Sequence, residues 1–130
     1  MTYKVPLVDP YITDEDATAV AKAVKEKRLS QGEYVEKFEK DFARYIGVKH
    51  AVAVCNGTAA LHVALAAIGV DMGDEVIVPS FSFVATANCV LYQQAKPAFV
   101  DIDSLTYNVN PKEIERKVTK KTKAIIPVHY

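Results

Sequence analysis

After residue 50 the chain alternates between short continuous apolar runs and stretches with helical spacing. This rhythm narrows the possible folds more than any other feature of the sequence. The apolar runs are Ala51-Val52-Ala53-Val54-Cys55, Glu75-Val76-Ile77-Val78 closed by Pro79, Lys96 to Ile102, and Lys123 to Val128. Strands that are apolar without alternation are buried on both faces, which is the signature of a parallel sheet covered by helices. The intervening helices are predicted from Gly57 to Gly69, from Ser82 to Gln94, and from Asn110-Pro111 through Lys112–Thr119. In the second, Phe83, Ala87, Val90 and Leu91 share a side; in the third, Ile114 and Val118 face inward. The expected fold class is α/β: a three-layer αβα arrangement with a mostly parallel sheet and helices on both faces.

Two helices precede this pattern. Thr13 is an N-cap with Asp14, Glu15 and Asp16 in the first turn, and Ala17, Val20, Ala21 and Val24 recur at helical spacing. A second helix is predicted over 33–46, with an apolar stripe of Val35, Phe38, Phe42 and Ile46, and Gly47 as its stop. Residues 1–12, which hold two prolines, read as an irregular arm. The expected division is 1–48 for the arm and two helices and 49–130 for the first part of a larger α/β domain. The last apolar run meets the end of the sequence with no helix to cover it. The chain therefore reads as the N-terminal part of something longer, or one piece of a split subunit.

Composition removes several function classes. Sixteen Lys and Arg balance sixteen Asp and Glu, so no net field draws nucleic acid or an anionic membrane. No apolar run approaches a bilayer span, and Met1 to Pro6 lacks the apolar core of a secretory signal. Cys55 and Cys89 make neither a disulfide framework nor a metal spacing, which suits a reducing cytoplasm. The basic stretch Lys112–Lys123, with six basic and two acidic residues, reads as a solvated helix face.

Two segments could carry chemistry. In Cys55-Asn56-Gly57-Thr58-Ala59-Ala60-Leu61 an apolar run ends at a glycine and a helix begins at once. The first N–H groups of a helix lack intrahelical partners and sit at the positive end of its dipole, a pocket for a phosphate with the Thr58 hydroxyl as a further donor. The Gly-Lys-Thr/Ser ending of a P-loop and the three glycines of a dinucleotide fingerprint are both absent. The plain alternative is an ordinary Asn-Gly turn. In Pro79-Ser80-Phe81-Ser82-Phe83 two aromatics follow the carboxyl end of the next strand, where one ring could cover a flat ligand or simply belong to the core. A ligand that joins a phosphate to an aromatic plane is pyridoxal 5′-phosphate (PLP).

The series Gln31-Gly32, Phe38-Glu39, Asn56 to Leu61, Gly73 to Pro79, Phe83 to Ala87, Val100 to Asp103 and Ile126-Pro127-Val128-His129 resembles the DegT/StrS family of sugar aminotransferases. The resemblance implies the fold type I (aspartate aminotransferase-like) large domain. It further implies a PLP enzyme that moves an amino group from an amino-acid donor to a nucleotide-linked keto sugar, and a homodimer with active sites at the interface. Carried onto this sequence, it assigns Gly57, Thr58 and Ala59 to the cofactor phosphate and Phe83, in preference to Phe81, to the pyridine ring. It assigns no catalytic residue, because the family's Schiff-base lysine segment has no match here, so this chain alone is expected to be inactive. Two alternatives stay open: a PLP-dependent sugar dehydratase on the same scaffold, and a non-catalytic truncated or regulatory module. The remaining residues get structural readings. Cys55 is expected as small buried packing, His50 as a loop residue and His62 as a helix-surface residue. His129 ends a strand on the crevice side, where it could contact a ligand; Asp101 and Asp103 follow a strand and either shape the crevice wall or cap the next turn; the seven tyrosines are too scattered for a stacking platform.

Overall fold

A Thr-x-x-Asp capping box sets the first helix. In the computed structural model, which describes residues 9–130, α1 (Asp14–Lys25) begins where the Thr13 hydroxyl accepts the Asp16 N–H at 3.2 Å. The Asp16 carboxylate in return accepts the Thr13 N–H at 2.9 Å. α2 (Glu33–Ile46) ends at Gly47, whose φ of 80° is the left-handed conformation that glycine adopts without a steric penalty. The chain divides into two compact units, Met1–Ala53 and Val54–Tyr130. In the first, Ala43 is the one buried residue of α2, and Phe38 and Phe42 lie on its exposed side with ring centroids 5.6 Å apart.

The second unit is an α/β layer structure: α3 (Gly57–Ala67), β1 (Glu75–Pro79), α4 (Ala85–Tyr92), β2 (Lys96–Val100), α5 (Pro111–Lys117) and β3 (Thr122–Ile125). The sheet is parallel, in the order β2-β1-β3, with Ile77 opposite Ala98 on one side and Ile125 on the other. Side chains alternate across β1. Val76 and Val78 pack with Leu65 of α3 and Cys89 and Val90 of α4, while Ile77 packs oppositely with Ala98, Val100, Val109 and Ile114. The sheet is thus covered on both faces. Lys96 and Pro97 open the edge strand β2, residue types that discourage pairing with another strand.

Five expectations need correction. Residues 51–55 form no strand: the Ala53 N–H donates to the Glu39 carboxylate at 2.8 Å instead of to a ladder, and Val52 is exposed. An apolar run offers the surface for a strand but does not supply a partner for it. Cys55 is accordingly exposed rather than packed, whereas Cys89 is fully buried. α4 starts three residues later than predicted and buries Ala85, Thr86, Cys89 and Val90, so Phe83 and Leu91 face outward. Val118 has left α5 at φ −60° and ψ 130°, and its side chain is exposed. β2 and β3 are also shorter than their apolar runs, so His129 lies beyond the last ladder pair.

Beyond β2 the chain folds back, with an antiparallel bridge between Ile102 and Val109. Asp103 organises the turn between them. Its Oδ1 accepts the N–H groups of Leu105 at 3.0 Å and Thr106 at 2.9 Å, and the Thr106 hydroxyl at 3.2 Å. The Thr106 N–H, then that of Leu105, then the Thr106 hydroxyl hold the Asp103 carboxyl below the usual aspartate range. A carboxylate with a depressed pKa stabilises the fold above its unfolded pKa, and that contribution is lost as pH falls through the lowered folded value. The turn is therefore expected to survive acidification through the ordinary aspartate range and to open only below it. Chemical shifts of the Leu105 and Thr106 amides against pH check this: their common midpoint should lie below that of free aspartate.

Candidate cofactor site

Asn56 decides the geometry at the start of α3. Its backbone is extended, with φ −167° and ψ 173°, and its side-chain oxygen accepts the Ala59 N–H at 2.9 Å. Sequence reading treated Asn56 only as part of a turn; its position one residue before a helical glycine was the available signal for a cap. The cap satisfies the third N–H of the helix. Among the described residues, the Gly57 and Thr58 N–H groups have no protein acceptor, and neither has the Thr58 hydroxyl. Two adjacent amides and a hydroxyl thus stand at the positive end of an eleven-residue helix.

Charge and space around this end suit an anion. α1, α2 and α5 each carry one or more acids in the first turn, whereas α3, like α4, carries none. A Cβ added at Gly57 would meet no atom within 4 Å beyond its chain neighbours and the backbone of its own helix, and the residue's φ lies outside the left-handed range. Neither crowding within the chain nor backbone strain requires a glycine here. A group approaching the amides closely from outside would require it. The donor set and the open space together fit a phosphate monoester.

Phe83 lies between β1 and α4 and is 76% exposed. Phe81, two residues earlier, is differently engaged: its ring centroid lies 5.7 Å from that of Tyr107 and 5.2 Å from that of Tyr130. The tyrosines are therefore not all scattered. Tyr107 adopts a positive φ of 57° in the turn built by Asp103, and the Tyr130 N–H donates to the Asn108 side chain at 3.1 Å. The two rings come together through tertiary contacts that no sequence spacing reveals. His62 packs edge-on against Tyr92, with centroids 5.3 Å apart, and His50 is exposed outside any helix or strand. Asp101 accepts the following Ile102 N–H at 2.9 Å and, like Asp103, shapes its own turn.

The DegT/DnrJ/EryC1/StrS aminotransferase family matches residues 10–130. The chain belongs to this family. GDP-perosamine synthase from Caulobacter vibrioides is 53% identical over 100 residues, which are 77% of this chain and 27% of that protein. Among solved structures, an aminotransferase from Psychrobacter cryohalolentis is similar with a TM-score of 0.85 and 38% identity, covering 92% of this chain and 31% of that one. NtdA from Bacillus subtilis, solved with bound cofactor PMP, has a TM-score of 0.83 and 37% identity, covering 91% and 28%. The chain spans less than a third of the length of each. The resemblance read from the Asn56–Leu61, Gly73–Pro79 and Phe83–Ala87 segments is borne out, and the helix-covered parallel sheet is the DegT aminotransferase scaffold. No helix among the described residues is long and apolar enough to cross a membrane.

Proposed function

We propose that this chain supplies the phosphate-holding turn of a PLP-dependent sugar aminotransferase. The whole enzyme transfers an amino group from an amino acid to a nucleotide-linked keto sugar, and works in the cytoplasm as a homodimer with its active sites between subunits. The observation that carries the reading is the pair of unpartnered N–H groups on Gly57 and Thr58 ahead of an acid-free first helical turn. Membership of an aminotransferase family and similarity to a PMP-bound structure support it. When bound, the cofactor supplies an electron sink for the carbon that exchanges its amino group. Gly57 and Thr58 donate to the phosphate through their amides, and Thr58 also through its hydroxyl. Ala59, tied to Asn56, holds the turn rigid and adds no bulk to it. Phe83 offers its ring face to the pyridine plane.

Lys22, Lys37 and Lys117 are exposed, and no lysine lies in the turn itself. The Schiff-base lysine segment that the family resemblance implies has no match in this sequence, so no lysine of this chain is assigned the covalent attachment of the cofactor. Borohydride treatment of the 130-residue polypeptide with pyridoxal phosphate is expected to label no single lysine preferentially. One lysine labelled in stoichiometric yield contradicts that assignment.

The ring role of Phe83 separates from packing by one substitution. Because the side chain is mostly exposed, Phe83→Ala should change stability by no more than about 0.5 kcal/mol. Loss of a stacked aromatic pair should weaken binding of pyridoxamine 5′-phosphate by about 2- to 10-fold, corresponding to roughly 0.5–1.5 kcal/mol. Thermal melting and an absorbance titration read the two effects. A lowered melting temperature with unchanged binding would make Phe83 a packing residue and remove it from the site.

A further inference from the structure

Thr86, in the first turn of α4, is the one buried polar residue among the described residues. Its hydroxyl lies 2.6 Å from that of Ser82, one of the two donating to the other. At the other helix starts of this unit a side chain serves the backbone: Asn56 accepts the Ala59 N–H and Asn110 the Lys112 N–H. α4 has no such cap, because Val84 stands at its N-cap position and offers no side-chain acceptor. Ser82 instead reaches a side chain inside the helix. Packing alone does not call for threonine at position 86, since valine fills the same space and leaves no buried hydroxyl to satisfy. The bond ties the loop to the helix.

Phe83 lies inside the stretch that this bond closes. Its carbonyl accepts the Thr86 N–H at 3.0 Å, and the Val84 carbonyl accepts the N–H groups of Ala87 at 3.1 Å and Asn88 at 3.0 Å. Upstream, the Ser80 N–H donates to the Val100 carbonyl at 2.9 Å, and the Phe81 ring rests against Tyr107 and Tyr130. The chain is thus held on both sides of Phe83, while the Phe83 side chain itself stays exposed. Ordering a loop at the moment of binding costs affinity, and a loop already held in place avoids that loss.

We propose that Thr86 is a positioning residue for the cofactor ring: through Ser82 it holds residues 82–84 so that Phe83 meets the pyridine plane already ordered. The inference rests on the reading of Phe83 as the stacking ring. Thr86→Val keeps the side-chain shape and removes the hydroxyl. Ser82→Ala removes the same bond from its half-buried end, where folding is less at stake. Either change should weaken binding of pyridoxamine 5′-phosphate by about 2- to 5-fold, and by no more than Phe83→Ala does. Thr86→Ser, which keeps the hydroxyl, should bind like the parent. In a Phe83→Ala background Thr86→Val should add no further loss, because both act through one ring. With no ligand present, amide relaxation should show residues 82–84 more mobile in Thr86→Val and Ser82→Ala than in the parent or Thr86→Ser. Unchanged mobility in both variants, or the same loss of affinity with and without the Phe83 ring, overturns the positioning role. If the variants loosen the segment but the parent binds no pyridoxamine 5′-phosphate, the stacking reading fails, and with it the cofactor role of Thr86.

Discussion

Gly57→Pro is expected to weaken binding of pyridoxamine 5′-phosphate by about 10- to 100-fold without lowering the melting temperature. The residue is the first of α3, the position at which proline is best tolerated because that N–H has no intrahelical partner. Asn56 before it is extended, the conformation a following proline imposes. A Cβ at this position meets no atom within 4 Å beyond its chain neighbours and the backbone of its own helix. Proline should therefore keep or strengthen the helix start while deleting one of the two free donors. A hydrogen bond to a charged group contributes about 1.5–3 kcal/mol, which sets the expected loss. Most substitutions in a binding turn confound folding with binding, and this one separates them. Unchanged affinity in a folded Gly57→Pro variant would exclude its amide as a phosphate ligand.

The largest expected stability loss lies on the opposite face of the sheet. Ile77→Ala should destabilise the second unit by about 3 kcal/mol, within the range for removing a buried Ile side chain. Ile77 is completely buried in the central strand, and its neighbours Ala98 and Val100 are too small to collapse into the space it leaves. Ile77→Val should cost only about 1 kcal/mol. Ile125, in the outer strand β3 and partly exposed, should cost less than Ile77 when cut to alanine. Urea denaturation of the three variants checks the order. An Ile77→Ala loss below about 1 kcal/mol would mean that α5 and the sheet are not packed as described.

What the sequence made legible was local. Thr13, Asn110-Pro111 and Gly47 announce helix ends because a cap is chemistry between near neighbours, and each stands at the boundary it was expected to mark. The run 75–79 was legible as a strand because both of its faces are covered, whereas in the run 96–102 the strand stops at Val100 and buries only Ala98 and Val100. The run 51–55 is equally apolar, yet a strand needs a partner as well as a surface, and its Ala53 amide went to Glu39. At the candidate site, the Gly57-Thr58 turn and the two phenylalanines could be read directly. Which phenylalanine stays free could not, since Phe81 is occupied by Tyr107 and Tyr130 from 26 and 49 positions away.

The central claim is that the first two amides of α3 hold a phosphate monoester. Amide-resolved NMR titration with pyridoxamine 5′-phosphate, which lacks the aldehyde that condenses with surface lysines, measures this most directly. The Gly57 and Thr58 amide protons should move downfield together, with one affinity, and Ala59 should move less because Asn56 already holds it. Saturation of binding with those two amides unmoved would contradict it.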